Sequence, residues 1–257
     1  MFIFGFRAIH QKNISLAIKE AKGNGFEVLE MHLSSPQFLH FDNLSQSPKI
    51  TLQIHAPIGL SLIFTEEKLR KASKEYLKEI IELSKNINAR CLTLHIGRAD
   101  TYHETDGKKI KNDDVYPDFY SKLLEDSLKY IVSIAPKDLF ICIENTDNFN
   151  YHYQKIIEKY LKTGKLFLTW DIRKSYSYDT EKLIKEQWDF VKKNKKYVKN
   201  IHISGLEGSH GEIKKWDKRF DKFINLFKDK DMPMIIEIIP LSSAIKAKMV
   251  ISQKLKY

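Results

Sequence analysis

Six residues carry the chemistry that this sequence points to: His55, His95, Glu144, Asp171, His202 and Glu237. Each stands at or near the end of a short apolar or β-branched run, in "LQIHAP", "LTLHIG", "ICIENT", "LTWDI", "NIHISG" and "MIIEIIP". Taken singly, a histidine at such a place is an ordinary rim or core residue, and a carboxylate is an ordinary helix cap. Three imidazoles and three carboxylates brought together would be costly to bury without a cation among them. A divalent metal is the natural compensator. A mixed nitrogen and oxygen donor set suits Zn, Mn, Fe or Co better than Ca and does not choose among those four.

The elements that must position these residues are strands. Strand-like runs recur at 1–6, 26–32, 50–57, 90–97, 139–146, 166–172, 198–205 and 233–240. Most are nearly continuous in apolar residues, as strands buried on both faces of a parallel sheet must be. Helical patterns fill the gaps. One opens at Asn13 as N-cap and ends at Gly23–Gly25. A second follows Thr65 as cap and places Leu69, Ala72, Tyr76, Ile80 and Leu83 on one face. A third starts with Pro117 near its first turn, and others lie near 150–162, 179–193, 216–228 and 241–254. The second gap, "LSSPQFLHFDNLSQSPK", has room only for a short helix. Strand and helix repeated eight times predict an α/β fold: a single (β/α)8 TIM barrel over residues 1–257, with its active site at the carboxyl ends of the strands. An open doubly wound sheet is the competitor, but no dinucleotide-type glycine fingerprint follows the first strand. Alternating parity along each strand then points the six residues into the barrel mouth. The polar stretch 97–116 reads as an active-site loop rather than a domain boundary.

Composition sets bounds. With 257 residues, 42% of them hydrophobic, the chain has material for one full core. No run of about 18 apolar residues is present, so no membrane span is expected. The opening "MFIFGFRAIH" lacks the features of a signal peptide. Cys91 and Cys142 sit in apolar runs and read as reduced core residues, which suits a cytoplasmic protein. The net charge of +10 is compatible with a nucleic-acid or phosphate-bearing partner. The lysines are scattered over helix faces, however, and solvated faces account for most of them.

In their order, the six quoted motifs resemble the xylose-isomerase-like TIM-barrel superfamily, which includes sugar and sugar-phosphate isomerases and epimerases and the endonuclease IV type of abasic-site nuclease. The resemblance spans nearly the whole chain. It implies that Glu144, Asp171, His202 and Glu237 match the four-ligand metal site of ketose 3-epimerases, with Glu144 and Glu237 as the acid–base pair. It implies that His55 and His95 match the histidines completing a second metal site in the endonuclease IV branch, bridged by Glu144. One or two divalent transition metals per chain are therefore expected.

Two positions depart from the family pattern. Lys174 stands in "DIRK" where relatives often carry a histidine. "SGLEGSHGEI" offers His210 but no aspartate two residues before it, so the third metal site of the nuclease branch is expected to be missing or altered; His210 is a candidate ligand, substrate contact or plain loop residue. Arg7, His32, Arg98, His103, Arg173 and Lys174 follow strand ends and are candidates for binding a phosphate or carboxylate. Trp170 points by parity to the helix side, and Tyr176 and Tyr178 are candidates to stack on a sugar or base. The expected function is proton transfer on a sugar or sugar phosphate by a divalent-metal isomerase or epimerase. The alternatives are endonuclease IV-like cleavage of abasic-site DNA and a barrel that binds a sugar or metal without turnover.

Overall fold

Eight parallel strands close on themselves: β1 (Phe2–Ala8), β2 (Val28–His32), β3 (Thr51–His55), β4 (Cys91–Leu94), β7 (Phe140–Glu144), β8 (Leu166–Asp171), β9 (Val198–Ile203) and β10 (Met232–Ile236). Between β4 and β7, a separate hairpin of β5 (Thr101–His103) and β6 (Lys109–Lys111) stands outside the barrel. A computed structural model describes residues 1–38, 49–146, 149–177, 180–208, 210–228 and 231–255. The barrel shuts where β1 pairs with β10, in register from Phe2 opposite Met232 to Phe6 opposite Ile236. A register shift between Leu168 and Thr169 brings Asp171 level with His202 on the next strand. The expected barrel is therefore the observed one.

Helices α1 (Ile14–Gly23), α2 (Glu67–Asn86), α4 (Pro117–Ile134), α5 (Tyr151–Leu161), α6 (Glu181–Asn194), α7 (Asp221–Phe227) and α8 (Leu241–Leu255) flank the strands, and a single turn, α3 (Asn112–Val115), follows the hairpin. Asn13 caps α1 as expected, its side chain accepting from the Leu16 N–H at 2.9 Å. Pro117 opens α4. The second gap holds a 3₁₀ turn at Pro36–Phe38, and residues 39–48 lie outside the described residues. No helix among the described residues is long and apolar enough to cross a membrane.

Three local expectations change. Thr65 does not cap α2: Glu66 holds that position without a side-chain bond, and Thr65 Oγ1 donates to the Glu66 carboxylate. The buried face of α2 is also rotated from the one expected. Leu77, Ile80, Ile81 and Ser84 face the barrel, while Leu69 is 48% exposed. Both faces have helical period, and the docking of the helix on the sheet chooses between them. Finally, stretch 97–116 is not irregular, because it holds the antiparallel β5–β6 hairpin and α3.

The outer faces of the strands supply the apolar core against the helices. Trp170 is fully buried there, its Nε1–H donating to Ser175 Oγ at 2.9 Å, in keeping with the helix-side placement. The lumen is different. Its middle level carries Glu30, Gln53, Thr93, Thr169 and Asn200, all buried. Part of this polar lumen is held by internal bonds, such as Thr93 Oγ1 to Thr169 Oγ1 at 2.8 Å, while the Gln53 amide has no hydrogen-bond partner.

Candidate active site

The six candidates meet at the carboxyl-terminal mouth. They arrive there because His55, Glu144 and Asp171 close their strands, His202 is the penultimate residue of β9, and His95 and Glu237 lie one residue past β4 and β10. Five are buried and His95 is partly exposed.

One cluster joins His55, His95 and Glu144. Both imidazole Nε2 atoms lie 3.1 Å from the same oxygen, Glu144 Oε2. The His55 tautomer is fixed from behind, because Nδ1–H donates to the Ala56 carbonyl at 2.8 Å. Burial first, then the Arg7 charge, lowers the His55 pKa and keeps its ring neutral. Nε2 therefore presents a lone pair towards a carboxylate oxygen. Two acceptors face each other, an arrangement that a cation resolves. His32 stacks on His55 with ring centroids 4.5 Å apart, and its Nδ1 accepts from the Ser34 N–H at 3.2 Å. Burial, with His55 and Arg7, pushes the His32 pKa down to about 2, so it is a neutral packing partner.

The second cluster joins Glu30, His202 and Glu237. His202 Nε2–H donates to Glu30 Oε2 at 2.9 Å, which leaves Nδ1 turned to Glu237 Oε1 at 2.8 Å and Glu144 Oε2 at 3.6 Å. Arg7 threads between the carboxylates, with Nη2 2.8 Å from Glu237 and Nε 3.4 Å from Glu30. Burial opposes the His202 charge, but Glu237, Glu30 and Glu144 outweigh it and raise its pKa well above the usual value. Burial likewise opposes the charge on Glu237, and Arg7 and His202 outweigh it, so that carboxyl is lowered.

Asp171 stands at the edge of both clusters. Its Oδ1 accepts from the Arg173 N–H at 2.8 Å and the Lys174 N–H at 3.3 Å. Its Oδ2 is buried without a hydrogen-bond partner. Burial, then Glu237 and Glu144, pushes its pKa up to about 7. Such a carboxyl gains from either a proton or a cation. Asn145 holds the strand end in place, accepting from the Asp171 N–H at 2.7 Å and donating to its carbonyl at 3.0 Å. The donor set, the bare His55 nitrogen and the unpartnered Asp171 oxygen together fit a divalent transition metal.

The remaining candidates divide. His210 reaches the site, its Nδ1 3.5 Å from Glu237 Oε2. It is held by a tight loop in which Gly205 and Gly211 pair, the Gly205 N–H donating to the Gly211 carbonyl at 2.7 Å. A Cβ on Gly211 would lie 2.2 Å from the Glu207 carbonyl oxygen, so the loop needs glycine there. Arg7 and His32 are inside the site. Arg173 and Lys174 are half-buried on its rim, and Arg98 and His103 are exposed. Tyr176 covers the loop, its hydroxyl donating to the Arg219 carbonyl at 2.8 Å; Tyr178 lies outside the described residues. A cavity of about 680 Å³ under the loop after β9 is lined by Leu206, Trp216 and Phe220, not by the clustered residues. Sequence reasoning missed Glu30. The signal was available: an acid in "VLEMH", two residues before His32 and on the same strand face.

Residues 17–249 match the family described as xylose isomerase-like TIM barrel. The chain belongs to this family. The xylose isomerase-like barrels include sugar isomerases and epimerases and endonuclease IV-like enzymes, and members bind divalent metals. The chain is 23% identical over 270 residues to a probable endonuclease 4 of Aquifex aeolicus (strain VF5), covering 92% of each. Among solved structures it is similar to a D-tagatose 3-epimerase-like protein, with TM-score 0.78 and 18% identity over 98% of this chain and 97% of that one. It is also similar to endonuclease IV from Thermus thermophilus, with TM-score 0.66 and 14% identity over 99% of each. Likeness at these identities is likeness of the barrel, shared by both branches of the family.

Proposed function

We propose that the protein is a divalent-metal-dependent isomerase or epimerase acting by proton transfer on a sugar or sugar phosphate. The observation that carries this reading is the pair Glu144 and Glu237, whose carboxylates approach the same His202 nitrogen from strands β7 and β10. Two carboxylates on different walls of one mouth suit removal of a proton from one side of a carbon and its return from another. His55, His95 and Glu144 would hold one ion; Glu144, Asp171, His202 and Glu237 would hold the ion expected of ketose 3-epimerases. A bound ion supplies Lewis-acid polarisation of a carbonyl and its neighbouring hydroxyl, which acidifies the C–H between them. Glu237, kept unprotonated by Arg7 and His202, is set to accept that proton. Glu144 faces the carbon from another wall. His95 and His202 outweigh burial and hold its carboxyl well below the ordinary value, so it returns a proton only after taking one up from solvent. Asn145 and Glu30 hold Asp171 and His202 in place. Lys174 and Arg173 at the rim favour an anionic substrate.

The second reading is endonuclease IV-like cleavage at an abasic site. The His55–His95–Glu144 cluster and the similarity to a probable endonuclease 4 favour it. Lys174, where relatives often carry a histidine, disfavours it, because a cation at the rim of the site repels a third ion. The test is a panel of ketoses, ketose phosphates and an abasic-site duplex, each given to protein loaded with Mn, Co or Zn. Epimer or aldose product without incision is expected. Incision that weakens steeply with salt, without any sugar conversion, would reverse the assignment.

A further inference from the structure

TIM barrels are packed along the lumen, and their chemistry gathers at the carboxyl ends of the strands. Here the opposite mouth is hollow. A cavity of about 560 Å³ opens between the amino-terminal ends of the strands, within the range of small-molecule pockets. Three features give it the character of a site.

Gln53 contributes to its wall from β3, two residues below His55 and level with Cys91. Its side chain is buried, and neither Nε2 nor Oε1 has a hydrogen-bond partner. A buried amide with both functions unmet is expensive, and a ligand or water that both donates and accepts relieves it. Next, two cations gather on one ring of the same wall. The Arg90 guanidinium lies 4.5 Å from the Phe140 centroid, and Lys199 Nζ lies 5.1 Å from it. Neither makes an ion pair among the described residues, and Asp231, the acid in the lining, is paired instead with the Met1 amino group at 2.6 Å, so the two cations are restrained by aromatic contact. Finally, Phe140 gives the cavity an aromatic side, and Phe167 supports that ring edge to face at 4.9 Å.

The geometry points to a second small-molecule site at the amino-terminal mouth, for a metabolite bearing an oxyanion beside a hydroxyl. Arg90 and Lys199 take the oxyanion, through charge-assisted hydrogen bonds. Gln53 takes the hydroxyl, a small group that can both donate to and accept from an amide. Phosphate monoesters and hydroxycarboxylates share this chemistry. The site lies at the other end of the barrel from Glu144 and does not depend on the reaction performed there.

Cys91 lines the same cavity and reports on it. In Cys142→Ala it is the sole thiol, because the chain has two cysteines. The rate at which a neutral methanethiosulfonate modifies Cys91 is measured with glycerol 3-phosphate, glycerate or inorganic phosphate present. At about ten times the dissociation constant, modification should slow about tenfold. Protection by glycerol 3-phosphate alone identifies a phosphate ester; protection by glycerate alone identifies a hydroxycarboxylate. Glu144→Gln should keep the protection and Arg90→Ala/Lys199→Ala should lose it. Calorimetric titration of the unmodified chain against Arg90→Ala/Lys199→Ala gives the same comparison without the thiol substitution. No protection and no binding heat with any probe, or protection unchanged in the double variant, would overturn the proposal.

Discussion

Three carboxylates surround the His202 imidazole, and this fixes how a metal must be acquired. Glu30 accepts a hydrogen bond from Nε2–H, and Nδ1 faces Glu237 and Glu144. Those acids outweigh burial and hold the ring protonated above the usual histidine range. Nδ1 must then release a proton before it ligates, so metal affinity should climb with pH, about tenfold per unit for one proton. Titration calorimetry in buffers of different ionisation enthalpy would register that release; affinity independent of pH would speak against His202 as a ligand. Glu30→Gln should weaken metal binding about 10–100-fold by loosening the ring's anchor. At the rim, Lys174→Ala should raise KM for a phosphorylated ketose about tenfold, the loss of one charge-assisted hydrogen bond, with metal content unchanged. Unaltered kinetics would reduce Lys174 to a solvated loop residue. Much of this constellation was legible because strand-end acids and histidines stand out against apolar runs. Glu30 and Gln53 were not, because they lie mid-strand, where only the lumen parity shared with His32 and His55 marks them.

The helices and the insertion after β4 show what pattern alone leaves open. Stretch 97–116 has the composition of a loop, yet it folds as a hairpin and a turn of helix docked on α5. Tyr153 makes that dock, its hydroxyl donating to Asp113 Oδ2 at 3.2 Å. Burial, then Asp114, raises the Asp113 pKa. A carboxyl raised on folding favours the folded state when protonated; that contribution is complete below its ordinary pKa and is lost as pH rises through the raised value. At neutral pH the buried charge is therefore a cost. Asp113→Asn keeps an acceptor for Tyr153 and removes the charge. Its Tm should exceed the parent's at pH 7 to 8, with the advantage vanishing below about pH 4. A lower Tm at neutral pH would mean that the carboxylate itself is needed. The rotated face of α2 has a similar lesson: period 3.6 is visible in "EKLRKASKEYLKEIIELSKN", but Leu69 and Leu77 are equally apolar, and only docking decides which is covered.

At the scale of the molecule, the barrel was readable because eight buried strands alternate with amphipathic helices, a rhythm few folds share. The pairing of ligands into two clusters was not, because it depends on strand register and on the shift at Leu168 and Thr169. A barrel that closes on so many buried acids and imidazoles should be stabilised by the ion they bind. At a thousand times the dissociation constant, Mn, Co or Zn should add about 4 kcal/mol, a Tm rise of roughly 10 °C. A chelator-treated sample whose Tm ignores all three ions would remove the metal assignment. The reaction itself is best read from hydrogen. Metal-loaded protein is incubated with a ketose phosphate in deuterated water, and the recovered sugar is examined by mass spectrometry and proton resonance. Two glutamates exchanging protons with solvent on a carbon beside the carbonyl predict one deuterium at that carbon, lost in both Glu144→Gln and Glu237→Gln. Sugar recovered without deuterium across the panel, from a preparation that incises an abasic duplex, would contradict the proton-transfer account.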